Sequence, residues 1–136
     1  AEFTGWADRR TVCEHIKNSR AIVVPSMLYE TQGMVVVEAA ALGIPCIVSD
    51  SCAGRDFVEP NVTGLWFKGG DSTSLSKAIL RLKNDPDFAA QLGKCAYDAY
   101  WASAPDLKAH VAALSGCYRS IIHNHKVNNR QKPAYQ

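Results

Sequence analysis

Two short, almost wholly apolar runs limit what this chain can fold into. Residues 21–24 (Ala-Ile-Val-Val) stop at Pro25, and residues 44–49 (Ile-Pro-Cys-Ile-Val-Ser) lead into the turn-rich stretch 50–54. Short β-branched runs of this kind are typical of strands buried on both faces of a parallel sheet. Parallel strands need a long crossover, and the roughly twenty residues between the runs suit a helix. The sequence therefore predicts a right-handed β-α-β unit.

The crossover helix is predicted over residues 34–42, although Val35-Val36-Val37 alone would favour a strand. Gly43 stands where a helix C-terminal cap is expected, and Pro45 follows where a helix cannot continue. These two residues favour the helix.

Turn and capping residues define the other elements. Asp8 is expected to cap a helix that ends near residue 18, and residues 63–67 are expected to form a third strand. Asp71 or Ser72 then caps a helix that ends before Pro86. The positions of this helix expected to be buried are Leu75, Ala78, Ile79 and Leu82.

Two more helices complete the chain, one after Pro86 and one that begins near Ser103 and Pro105. The predicted fold class is α/β, with a partial Rossmann-like parallel sheet flanked by helices. Residues 1–123 are grouped as one domain and residues 124–136 as a polar tail.

Composition narrows the possible function classes. A chain of 136 residues can bury a real core but is too short for two full Rossmann-like lobes. A net charge of +2, without a basic run interleaved with aromatic residues, gives no support for nucleic-acid binding. No apolar stretch approaches the roughly 20 residues that span a bilayer. We expect a soluble, cytoplasmic protein.

The cysteines do not form a recognisable metal or disulfide pattern. They are odd in number and scattered, which favours free thiols in a reducing compartment over zinc ligands or a catalytic nucleophile. They are Cys13, Cys46, Cys52, Cys95 and Cys117.

Two carboxylates and one glycine stand out between the two apolar runs. Glu30 lies in the loop that leads from strand to helix, Gly33 opens the helix, and Glu38 is its one charged residue. A carboxylate on such an apolar helix is costly to bury without a hydrogen-bonding partner, and a pair of ligand hydroxyls would be such a partner. The alternative stays open that Glu38 bonds a donor within the core and that Glu30 is a solvated loop residue.

The start of this helix is a candidate phosphate site. Ligands of open α/β sheets bind in the loops after the carboxyl ends of the strands. The amides of Gly33, Met34 and Val35 would meet a phosphate at the positive end of the helix. With Glu30 and Glu38 reaching hydroxyl groups, the pattern indicates a nucleotide sugar as ligand.

Glu30 and Glu38, with seven residues between them, resemble the E-x7-E signature of family 4 of the retaining GT-B glycosyltransferases. The motif reads Y-E-x-x-G-M-V-V-V-E-A-x-A-x-G-x-P over residues 29–45. The resemblance extends from Phe3 to Tyr118 and thus covers nearly the whole chain. It implies that residues 1–123 are an incomplete nucleotide-sugar-binding domain, the C-terminal lobe of a GT-B fold truncated at its N-terminal side.

The resemblance also implies roles for individual residues. In that family the first glutamate contacts the donor sugar, the second holds the ribose hydroxyls, and the amides after the glycine meet the diphosphate. These roles fall to Glu30, the candidate catalytic residue, to Glu38, and to Gly33, Met34 and Val35. Residues 6–8 correspond to a segment that commonly lies against the nucleobase, although Trp6 could equally belong to the core.

The implied reaction is transfer of a hexose from a nucleoside diphosphate sugar to a glycan or lipid-linked acceptor, with retention of configuration. The leaving diphosphate is thought to assist the incoming hydroxyl on the same face, and neither cofactor nor metal is required. The full-length enzyme is expected to be capable of peripheral membrane association.

The chain departs from the family pattern in three places. Asp56 replaces the family's glutamate, and Asn61 replaces a glycine, so residue 61 is expected to take a positive φ and keep the turn. Paired glycines are replaced around Cys52 and Ala53, which leaves Arg55 as a substitute candidate for phosphate contact. The family's cationic pair for the diphosphate and its acceptor lobe are absent. We therefore expect weak donor binding and no transfer from this chain alone.

Two other classes of function fit the same pattern. A non-catalytic nucleotide- or sugar-binding module would keep Gly33 and Glu38 without an acceptor lobe. A GT-B sugar-nucleotide epimerase would also bind its donor in this lobe. The E-x7-E spacing favours the transferase.

Overall fold

The computed structural model describes residues 3–28, 33–104 and 106–130, with side chains up to residue 125. The chain divides into two compact units, residues 1–103 and 104–136. The first unit contains the helices α1 (Arg9–Lys17), α2 (Met34–Ala41), α3 (Ser72–Asn84) and α4 (Pro86–Ala102), the strands β1 (Ile22–Val24), β2 (Cys46–Ser49) and β3 (Gly64–Phe67), and a 3₁₀ helix (Ala53–Phe57). The second contains α5 (Leu107–Arg130).

In the described part of the chain, the strands form one parallel sheet in the order β1-β2-β3. Ile22 pairs with Cys46, which in turn pairs with Gly64. Helix α2 crosses from β1 to β2, so the α/β prediction with a parallel sheet is confirmed. The run of valines is helical because α2 buries Val36 and Ala39, which are 1% and 0% exposed. Burial therefore outweighs the weak strand preference of valine.

The core has two apolar clusters, and β2 contributes to both. Cys46 and Val48 pack in one cluster with Val36 of α2, whereas Ile47 packs in the other with Leu82 and Leu92. Alternate residues of a strand point to opposite faces. The strand is therefore covered on both faces, as its apolar composition predicts.

The predicted caps are confirmed. Asp8 Oδ1 accepts a hydrogen bond from the Thr11 amide at 2.8 Å, and Asp71 Oδ1 accepts from Thr73 at 2.9 Å. Asn61 has a φ of +65°, the value expected if it replaces a glycine in the turn. Short polar side chains thus set where these elements begin and turn.

Other details differ from the prediction. Ile79 was predicted to be buried but is 41% exposed, because it lines an open cleft beside β1 together with Val23 and Ile47. Helix α5 continues to Arg130, into the stretch predicted as a polar tail, because polar residues without proline or glycine do not end a helix. The grouping of residues 1–123 as one donor domain remains a prediction.

The described helices include none that is both long and apolar enough to cross a lipid bilayer.

Candidate functional site

The loops that follow the parallel strands meet at one edge of the sheet. Asp50, directly after β2, accepts hydrogen bonds through Oδ1 from the Gly69 amide at 2.8 Å and the Ser51 hydroxyl at 3.0 Å. These two donors lower the pKa of Asp50 below its ordinary value of 3.8. Gly69 follows β3, so an ionised carboxylate joins the ends of two neighbouring strands.

A glycine lies at the contact between these two loops. A Cβ atom at residue 69 would lie 2.7 Å from the Ser51 hydroxyl and 2.8 Å from the Ser49 hydroxyl. Ser49 is fully buried, and its hydroxyl accepts a hydrogen bond from the Ser51 amide at 3.1 Å. The loops after β2 and β3 therefore lie in direct contact, and their backbones form a rim at the carboxyl edge of the sheet.

Helix α2 begins at this edge from a glycine with a left-handed backbone in a crowded position. Gly33 has a φ of +48°, and a Cβ atom there would lie 2.7 Å from Gly54 Cα and 2.9 Å from Gly54 N. The Val36 amide donates to the Gly33 carbonyl at 2.9 Å, which closes the first turn. The amides of Met34 and Val35 have no acceptor within the helix, because the first amides of any α-helix lack one. An anion at this position would find those amides and the positive end of the helix.

Glu38 is half-buried on the side of α2, with 33% of its side chain exposed. Its Oε1 lies 3.8 Å from Nη2 of Arg9, whose side chain is 87% exposed. The carboxylate therefore reaches both water and a cation. The idea that Glu38 binds ribose hydroxyls stays a prediction.

The other candidate site residues are Glu30, Trp6 and Arg55. Glu30 lies outside the described residues. Trp6 is fully exposed, so of its two alternatives the core position is wrong, and contact with a nucleobase stays a prediction. Arg55 donates from Nη1 to the Asp50 carbonyl at 2.6 Å, and its guanidinium lies 5.3 Å from the centre of the Trp66 ring. This cation is therefore engaged with its own loop and with β3.

The cysteines are free thiols, as predicted. Cys46 and Cys52 are buried, and burial raises the pKa of the Cys46 thiol to about 12. A thiol with that pKa does not supply a thiolate at neutral pH, so Cys46 has a packing role.

Three residues at or near the site were not identified from the sequence: Arg9, Asp50 and Gly54. Asp50 could have been found, because a carboxylate that directly follows a buried strand lies at the ligand edge of a parallel sheet. Arg9 and Gly54 carry no local signal, since their partners Glu38 and Gly33 lie far away in the chain.

This arrangement of strand ends and helix start has counterparts among known proteins. A family model described as "Glycosyl transferases group 1" matches residues 1–99. The chain belongs to this family. Alpha-D-kanosaminyltransferase of Streptomyces kanamyceticus is 25% identical over 123 residues, which cover 88% of this chain.

Two solved structures of glycosyltransferases resemble this chain closely. Sucrose-phosphate synthase from Thermosynechococcus elongatus has a TM-score of 0.78 and 31% identity over 90% of this chain. Anabaena HepE, solved in complex with UDP and glucose, has a TM-score of 0.75 and 21% identity over 88% of this chain. These neighbours are GT-B glycosyltransferases, and the fold of this chain is part of theirs.

The chain spans only part of these relatives. It covers 30% of the kanosaminyltransferase, 30% of the sucrose-phosphate synthase structure and 32% of the HepE structure.

Proposed function

We propose that this chain is the donor-binding part of a retaining GT-B glycosyltransferase of family 4. The intact protein would transfer a hexose from a nucleoside diphosphate sugar to a glycan or lipid-linked acceptor. The observation that carries the proposal is the start of α2 at the carboxyl edge of the sheet. There Gly33, with its φ of +48°, lies against Gly54 in a chain that belongs to the group 1 glycosyltransferases.

The diphosphate is assigned to the start of α2. The amides of Gly33, Met34 and Val35 lie at the N-terminal end of the helix, where its dipole is positive. Gly33 has no side chain, which leaves room for Gly54 to pack against the start of the helix. The free amides and the dipole at the start of a helix together favour a bound phosphate.

The two sugars of the donor are assigned to the two glutamates. Glu38 lies one turn further along α2 and is partly open to solvent, which suits a carboxylate that accepts hydrogen bonds from ribose hydroxyls. Glu30 is assigned to the transferred hexose on the strength of the E-x7-E spacing. The UDP and glucose bound by HepE support a donor of this chemical class.

We expect this chain to bind a sugar donor without transferring the sugar. It spans less than a third of the relatives described above, and transfer needs groups that stabilise the charge developing on the leaving diphosphate. We therefore expect the 136 residues to bind a donor weakly and to transfer no sugar.

Ligand-observed NMR with UDP-, GDP- and ADP-glucose tests the proposal. One donor should bind, and Glu38→Ala and Glu30→Ala should each weaken it by about tenfold or more, as expected for the loss of a hydrogen-bonded carboxylate. Glu14→Ala is the matched control, because Glu14 is an exposed glutamate on α1 that pairs with Arg10. A folded chain that binds none of the three donors at millimolar concentration would refute the proposed site.

A further inference from the structure

Arg9 lies beside α2. It is the first residue of α1, and the cap formed by Asp8 and the Thr11 amide sets where that helix begins. The next residue, Arg10, directs its guanidinium to Glu14 on the same helix, at 3.8 Å. Arg9 instead reaches across to Glu38 of α2, also at 3.8 Å. Two adjacent arginines of equal charge thus have different partners.

The ion pair between Arg9 and Glu38 contributes little to the stability of the fold. The Arg9 side chain is 87% exposed, and exposed ion pairs contribute little to stability because water screens them. The nearest contact involves Oε1 of Glu38, so Oε2 is left for another donor. The backbone that carries Glu38 is held firmly, because Val36 and Ala39 on either side are buried in the core.

We propose that Arg9 is a positioning residue for Glu38 in the donor site, an inference that rests on the proposed function. Arg9 would orient the carboxylate so that Oε2 accepts a hydrogen bond from the ribose of the bound nucleotide. Arg9 would therefore contribute more to ligand binding than to folding, and only for ligands that carry ribose hydroxyls.

The experiment is a set of NMR titrations with the nucleoside diphosphate that the chain binds best among UDP, GDP and ADP, and with its 2′,3′-dideoxy analogue. Arg9→Ala should weaken binding of the parent nucleotide about fivefold, the upper range for a partly exposed ion pair. Arg9→Lys should recover part of this loss, since lysine keeps the charge but not the guanidinium geometry. Arg10→Ala, the matched control, should leave the affinity within about twofold, since its partner Glu14 lies on the same helix.

The dideoxy analogue distinguishes positioning from other roles. It should bind wild type more weakly than the parent nucleotide does, and Arg9→Ala should not weaken it further, because the hydroxyls that Glu38 would hold are missing. Equal weakening of both nucleotides would overturn the inference, since Arg9 would then act on the fold or on the phosphates. If Glu38→Ala weakens binding while Arg9→Ala behaves like Arg10→Ala, the inference about Arg9 fails and the donor site stands. If wild type binds no nucleotide, the proposed function itself fails.

Discussion

Replacement of Gly33 by alanine tests the geometry at the start of α2. A left-handed backbone conformation costs an L-residue about 1–2 kcal/mol of folding free energy relative to glycine. The added Cβ atom would also lie 2.7 Å from Gly54 Cα, which is backbone and cannot rotate away. Overpacking of this kind costs about 1–3 kcal/mol. Together the two effects predict a loss of about 2–5 kcal/mol, a large part of the roughly 5–15 kcal/mol that stabilises a domain.

Two other glycines separate these effects. Gly5 has a φ of +62°, but a Cβ atom added there would meet no other atom within 4 Å, so Gly5→Ala should lose at most the backbone contribution of about 1–2 kcal/mol. Gly93 lies within α4, and a Cβ atom there would meet the Gly43 carbonyl oxygen at 2.2 Å. Gly93→Ala should therefore show the packing contribution, about 1–3 kcal/mol, without the left-handed strain.

Urea unfolding followed by far-UV circular dichroism measures all three variants. Gly33→Ala should be less stable than Gly5→Ala by the packing contribution. If Gly33→Ala unfolds within about 0.5 kcal/mol of wild type, residue 33 is neither left-handed nor crowded. If it is destabilised only as much as Gly5→Ala, the contact with Gly54 is absent. Either result would refute the geometry assigned to the start of α2.

Two further predictions concern the core and the rim. The lowered pKa of Asp50 means that its ionised form stabilises the fold above the ordinary value of 3.8 and that this contribution disappears as the pH falls through the folded-state pKa. Asp50→Asn should therefore be less stable than wild type near about pH 6, and the difference should shrink near about pH 3 in urea unfolding. Leu92 is 1% exposed, and its replacement by alanine should lower the free energy of unfolding by about 2–5 kcal/mol. Leu80 is 47% exposed, and its replacement by alanine should lower the free energy of unfolding by less than about 1 kcal/mol. Equal losses would contradict the assigned core.

Local sequence patterns were sufficient to predict most of the elements. The apolar runs identified β1 and β2, and Gly43 with Pro45 identified the end of α2 in spite of its valines. Asp8 and Asp71 cap the helices that they were expected to cap. These signals work because strand burial, capping and helix termination each depend on residues close together in the chain.

Features that depend on distant residues were missed or wrong. Helical spacing correctly placed Ile79 on the same side of α3 as Leu82, but it could not show how far the sheet extends to cover that side. The pairing of Glu38 with Arg9 depends on how α1 packs beside α2. The polar residues after position 123 gave no signal for the end of α5, because composition alone does not end a helix.

Two glycines show how closely the loops pack at the carboxyl edge of the sheet. Gly33 and Gly69 both occupy positions where a Cβ atom would lie less than 3.0 Å from another residue, and both lie at the carboxyl edge of the sheet. The missing side chains leave room for Gly54 and for the hydroxyls of Ser49 and Ser51, so these glycines allow the loops to pack closely. Arg55, the candidate arginine for phosphate contact, donates from Nη1 to the Asp50 carbonyl. The proposed phosphate site therefore rests on the backbone amides at the start of α2 rather than on a cationic side chain.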